Sequence, residues 1–202
     1  FYSRSPYGFH EVLDKKIPAQ TFETLRNSGY EIQFLTSGET KGFRRLDEFI
    51  NEKSCDKIQN VSPKKTLREH DWPKTDSTKI ARVREILSSR HDKPQFIFFY
   101  LVSCHYPYMY PQDKEVYPGN EGLFRYLSAQ QRISNHRNRY ANSMLFLEDQ
   151  IMEMLKKIDP KKTIVAITGD HGESMGEDGV FTHGSRMSDA QLKVPFVMAG
   201  AG

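Results

Sequence analysis

The stretch 96–102, Phe-Ile-Phe-Phe-Tyr-Leu-Val, is a continuous apolar run of strand length, and it restricts the fold of this chain more than any other segment. A strand without polar alternation has to be covered on both faces, as strands inside parallel sheets are. Residues 163–168 read as another buried strand, 30–36 as a strand, and 194–198 as a strand candidate opening beside Pro195. Segments of helical period separate them. Residues 18–28 place Pro18 at a first helical position and Gly29 at the stop. Phe43, Leu46, Phe49 and Ile50 recur at helical spacing, and Thr75 or Asp76 is placed to cap a helix carrying Ile80, Val83, Ile86 and Leu87. The clearest helix is predicted over 137–158, with Tyr140, Met144, Leu147, Ile151, Leu155 and Ile158 as one stripe and Asp159-Pro160 as its end. Residues 55–74 and 104–122 read as irregular. Helices alternating with buried strands predict an α/β fold, a mostly parallel, mixed-edge sheet with helices on both faces.

A chain of 202 residues has room for one domain with its own core. Residues 1–202 are therefore expected to form a single domain. It begins at Phe1 and stops at Gly202 in mid-pattern, so it reads as incomplete at the N-terminus, with the first strand of the sheet upstream. The content of 37% hydrophobic and 27% charged residues excludes a disordered or collagen-like chain. A net charge of +3 is too small to imply nucleic-acid binding. No apolar run approaches a membrane span, so membrane attachment would have to come through missing upstream segments. Cys55 and Cys104 lie in different elements, match no Cys-x-x-Cys spacing and read as ordinary thiols.

Ligands of open parallel sheets bind where loops converge at the carboxyl ends of the strands. Strand 163–168 runs into Gly169-Asp170-His171-Gly172-Glu173, and strand 96–102 runs into Ser103-Cys104-His105-Tyr106-Pro107. If both strands are parallel, Asp170, His171 and His105 share one edge. An Asp-His pair between glycines makes an economical metal half-site. It offers a hard anionic oxygen and an imidazole nitrogen on a backbone free to turn beneath the ion. Twelve residues after His171, a second His-Gly pair, His183-Gly184, can return to the same pocket.

The run Thr168-Gly169-Asp170-His171-Gly172-Glu173-Ser174-Met175-Gly176-Glu177, followed by His183-Gly184 and then Val194-Pro195-Phe196, resembles the C-terminal metal motif of the sulfatases. These belong to the alkaline phosphatase superfamily, with the phosphoethanolamine and phosphoglycerol transferases. The His-x-Pro of His105-Tyr106-Pro107 and the Tyr-x-Asn of Tyr140-Ala141-Asn142, with Asp149 downstream, are similar to further segments of that family. The resemblance implies an alkaline-phosphatase-like sheet. It implies that Asp170 and His171 hold a divalent cation (Ca, Mn or Zn) and that His105 and His183 are catalytic, binding the oxygens of a sulfate or phosphate ester or protonating its leaving group.

The family's nucleophile is a formylglycine made from Cys or Ser in a Cys/Ser-x-Pro-x-Arg setting, or a Thr in the transferases. Neither Cys55 nor Cys104 has that setting, and Ser3-Arg4-Ser5-Pro6 has its Pro and Arg misplaced. The nucleophile is therefore expected upstream, leaving this piece inactive alone. The expected function is that of a sulfatase-like, metal-dependent hydrolase of sulfuric or phosphoric esters, working outside the cytoplasm in the periplasm or cell envelope. Two alternatives stand beside it: a phosphoethanolamine or phosphoglycerol transferase, towards which His183-Gly184 leans because sulfatases often carry a Lys there, and a catalytically dead headgroup-binding domain. Glu173 and Glu177 read as solvated loop acids, Asp149 as a surface charge of its helix, and Arg132, His136, Arg137 and Arg139 as a solvated helix start. Tyr106, Tyr108, Tyr110 and Tyr117 read as packing on their own loop, and Met144, Met152 and Met154 as core or helix surface.

Overall fold

The computed structural model describes residues 9–15, 17, 19–38, 48, 50, 54–59, 71–119 and 127–200. They fall into two compact units, one ending at Val102 and the other beginning at Ser103.

The first unit is built on a parallel three-stranded sheet of order β2-β1-β3, with β1 at Glu31–Thr36, β2 at Lys57–Gln59 and β3 at Gln95–Tyr100. Phe34 on β1 registers with Ile58 on one side and Phe98 on the other, and its ring stacks on Phe98 at 5.2 Å between centroids. Helices α1 (Phe9–Asp14), α2 (Gln20–Asn27) and α3 (Trp72–Ser88) complete the unit. Gly29 stops α2 at a φ of +88°, which an L side chain rarely adopts. Val12, Ala19, Phe22, Ile32, Phe34, Ile50 and Cys55 form one buried cluster, joined by Phe96 and Phe98. Each large side chain withdrawn from water in this way contributes roughly 1.5–3 kcal/mol.

Several expectations change here. Strand β2 lies in a segment read as irregular. Three residues are too few for a periodicity signal, and backbone pairing defines them, with Asp56 Oδ2 also accepting the Ile32 N–H at 2.7 Å. Helix α3 starts at Trp72, with Pro73 in its first turn, so Asp76 lies inside the helix and is not its cap. The Asp76 carboxylate is fully buried and accepts hydrogen bonds from Ser37 Oγ and from the Val102 N–H. Strand β3 is half-buried along its whole length. Phe43, Leu46 and Phe49 lie outside the described residues.

The second unit is organised by one long helix, α4, at Ala129–Leu155. It begins eight residues before the predicted start because Ser128 and Gln131 form a capping box, each side chain accepting the other's backbone N–H. Its buried side is Asn135, His136, Arg139, Asn142, Ser143, Phe146, Leu147 and Met154, and Met144 and Met152 are exposed. The predicted apolar stripe is therefore only partly the packed one. Loop 103–119 brings hydrogen-bonding partners to the helix, and these decide which side is buried. Asn142 Oδ1 accepts the N–H groups of Val116 and Tyr117 at 3.1 and 3.0 Å, and its Nδ2 donates to the Tyr117 carbonyl at 2.8 Å.

Strand β4 (Val165–Thr168) pairs with β7 (Phe196–Ala199), and the pairing is antiparallel. Ile167, Phe196, Val197 and Met198 are exposed, so the expectation of a buried strand at 163–168 does not hold. A short hairpin joins β5 (Ser174–Met175) to β6 (Phe181–Thr182), and a single turn of helix, α5, follows at Asp189–Leu192. The chain is of the α/β class, with parallel pairing in the first unit and antiparallel pairing in the second.

Candidate functional site

All four residues singled out by the sequence, His105, Asp170, His171 and His183, lie in the second unit. Asp170 and His171 follow β4 after one residue, Gly169. Gly172 permits the turn behind them: a Cβ there would stand 2.1 Å from the Ala190 carbonyl oxygen, and the Gly172 N–H donates to the Gln191 carbonyl at 2.8 Å. His183 lies between two left-handed residues, Thr182 at φ +63° and Gly184 at φ +78°. Gln191, buried on α5, holds this corner. Its Oε1 accepts the Gly184 N–H at 3.1 Å, and its Nε2 donates to Ser174 Oγ at 2.8 Å and to the Thr182 carbonyl at 3.3 Å.

The three imidazoles meet as a result. The His183 ring centroid is 3.9 Å from that of His171 and 5.3 Å from that of His105, the latter edge-on. In each ring Nδ1 faces an acceptor: the Tyr106 carbonyl at 2.8 Å from His105, the Gly172 carbonyl at 2.9 Å from His171, and Glu173 Oε1 at 3.1 Å from His183. A carbonyl has no proton to give, so Nδ1 of His105 and of His171 is the donor, and in a neutral ring the lone pair is then on Nε2. Histidine ligands of metals are oriented in the same way.

His171 Nε2 is 3.8 Å from Asp170 Oδ2. That is too long for a hydrogen bond and within the span of two donors that each sit about 2.0–2.2 Å from one cation. Among the described residues no group of three or more His, Cys, Asp or Glu donors is assembled to hold an ion. Asp170 and His171 therefore offer one oxygen and one nitrogen at a spacing that fits two positions around a cation.

Residues read as unremarkable prove to frame this corner. The Glu173 side chain is only 6% exposed, so it is not a solvated loop acid. Glu177 Oε2 accepts the Met175 N–H, and backbone hydrogen bonds, with Arg137 at 3.3 Å, hold its carboxyl below the usual range. Arg139 is buried and not part of a solvated helix start: its Nε and Nη2 donate to the Pro107 carbonyl at 3.0 and 2.8 Å. His136 is buried too, stacked on Tyr106 and edge-on to Tyr108 and Phe181. Burial, and secondarily the Arg139 charge, push the His136 imidazole below its ordinary pKa. Tyr108 is fully buried, and burial together with the Glu173 carboxylate raises its phenol strongly. Tyr110 does pack on its own loop, donating to Glu115 at 2.7 Å. The one sequence signal that bears on them was Ser128-x-x-Gln131, which marks a helix start early enough to bring His136 onto α4.

A family model described as Sulfatase matches residues 2–202. No curated protein sequence matches the chain. Among solved structures, the crystal structure of the lipoteichoic acid synthase LtaP from Listeria monocytogenes is 16% identical, with a TM-score of 0.67, covering 98% of this chain and 51% of that one. The C-terminal periplasmic domain of EcEptC from Escherichia coli, crystallised in complex with Zn, is 17% identical, with a TM-score of 0.66, covering 89% and 51%. The phosphonate monoester hydrolase of Agrobacterium radiobacter is 15% identical, with a TM-score of 0.61, covering 87% and 51%. The chain spans about half the length of these structures, and at such identities the likeness establishes a shared fold.

Proposed function

Because this chain belongs to the sulfatase family, we propose that it is part of a metal-dependent enzyme that cleaves or transfers sulfate or phosphate esters outside the cytoplasm. We read residues 1–202 as one domain because one family match runs through both units. The observation that carries the proposal is the convergence of His105, His171 and His183 beside Asp170, with Nδ1 of all three rings engaged.

Asp170 and His171 hold the divalent cation, Ca, Mn or Zn. Bound there, it supplies positive charge beside the transferred SO₃ or PO₃ unit. His105 and His183 face the ester. With Nδ1 engaged, each works through Nε2, accepting a proton when neutral and, once protonated, donating to the nonbridging oxygens or to the departing alkoxide. The nucleophile belongs to a part of the protein outside this chain. Transfer of a phosphoryl headgroup is favoured over sulfate hydrolysis by one feature, His183-Gly184 where sulfatases often carry a Lys. Among the described residues no helix is long and apolar enough to cross a membrane.

Calorimetry with Zn²⁺, Mn²⁺ and Ca²⁺ tests the assignment. The chain is expected to bind a cation weakly, and Asp170→Ala to abolish that binding. Tight stoichiometric binding that survives Asp170→Ala would refute the ligand pair.

A further inference from the structure

Glu173 stands two residues beyond His171, in a loop where acids normally stay hydrated, yet its side chain is turned inward and 94% buried from solvent, being 6% exposed. A carboxylate withdrawn from water needs groups that satisfy its oxygens. Two groups face it. His183 Nδ1 lies 3.1 Å from Oε1. The Tyr108 hydroxyl sits on a fully buried side chain, makes no hydrogen bond of good geometry, and has the Glu173 carboxylate as its neighbouring acceptor.

We propose that Glu173 is a positioning residue for His183, holding the ring's proton on Nδ1 so that Nε2 is the nitrogen presented to the ester, an inference that rests on the role given to His183 above. An ionised carboxylate only accepts, whereas a neutral imidazole can carry its proton on either nitrogen. The backbone carbonyls that fix His105 and His171 belong to the next residue in each case, Tyr106 and Gly172. The acceptor facing His183 Nδ1 is instead a side chain from ten residues away, across the β5–β6 hairpin.

The test is ¹⁵N NMR of the histidine ring nitrogens in the metal-free 202-residue chain, at a pH where the rings are neutral. In the wild-type chain His183 is expected to carry its proton on Nδ1. Glu173→Ala is expected to move that proton to Nε2 and to leave His105 and His171 unchanged. Glu173→Leu, which fills the same space without an acceptor, gives the same readout if the alanine variant does not fold. A wild-type His183 protonated on Nε2, or a folded variant whose His183 spectrum does not move, overturns the proposal. Zinc binding that falls as far in Glu173→Ala as in Asp170→Ala overturns it as well, by marking Glu173 as a ligand. The spectrum is read without metal, so the tautomer and the cation site can fail independently.

Discussion

Phe34 and Asn142 are both fully withdrawn from water, one at the centre of the β2-β1-β3 sheet and the other midway along α4, and they are held there for opposite reasons. Phe34 is inside because its surroundings are apolar: Phe98 stacks on it, and Phe22, Ile32 and Ile50 belong to the same cluster. Asn142 is inside because loop 103–119 presents two N–H groups and a carbonyl in a pattern that an amide matches. The contrast extends across each unit. The contrast is one of proportion: the first unit buries mainly Val, Ile, Leu and Phe, with Gln33, Thr36, Ser37, Ser54 and Asp76 among them, and the second buries Phe146, Leu147, Met154 and Met175 beside a larger polar set of Ser103, Asn135, His136, Arg139, Asn142, Ser143, Ser174 and Gln191. Apolar burial is non-directional and makes a frame, whereas polar burial demands geometry and so specifies where each loop lies. The candidate site occurs where burial is polar.

Substitutions at matched positions can break this contrast. The largest effect is expected of Phe34→Ala, with about 3–5 kcal/mol lost in denaturant unfolding, the range for truncating a buried aromatic. A loss below about 1 kcal/mol would show that the first unit is not held by its apolar cluster. Asn142→Ala comes next, at about 1–3 kcal/mol, because it leaves the Val116 and Tyr117 N–H groups unpaired. Amide exchange should speed up at Val116 and Tyr117 and stay unchanged along β1. An acceleration spread evenly over both units would deny the second unit its separate, polar basis.

A smaller effect is expected from pH. Burial lowers the His136 pKa in the folded chain below its value of about 6.5 when unfolded, so the unfolded chain binds the proton more readily. Stability is then intact above pH 6.5 and declines as pH falls below it. Denaturation midpoints measured at pH 7.5 and 5.5 should show that decline, and His136→Phe, which keeps an aromatic ring among Tyr106, Tyr108 and Phe181, should flatten it. The smallest effect belongs to Lys57→Ala. This removes the Glu31 pair at 2.7 Å, but both side chains are partly solvated, and a change of about 0.5 kcal/mol or less is expected.

What was legible in the chain depended on whether a local rule governed it. Gly29 stops α2 as its position after 18–28 implied, since a left-handed residue is a local requirement. Strand β1 falls within 30–36 and β3 largely within 96–102, since strand-length apolar runs are local patterns. The placement of α4 was legible only in part. Counting the apolar stripe from Tyr140 finds the helix, but the buried side follows Arg139 and Asn142, whose partners come from a loop more than twenty residues upstream. Glu173 was misjudged for the same reason. A loop acid carries no mark in sequence that distinguishes a hydrated carboxylate from one enclosed by His183 and Tyr108.

The sequence by itself determined the α/β class and the sulfatase-like motif, and it singled out Asp170, His171, His105 and His183 as candidates. Motif spacing and strand-length apolarity are properties of neighbouring residues, and neighbours are what a sequence records. Only the tertiary structure decided that the three imidazoles meet, that each has its Nδ1 engaged, and that Glu173, Arg139 and Asn142 are buried. Those outcomes depend on hydrogen bonds between residues far apart in the chain, whose direction and length exist only once the loops have folded.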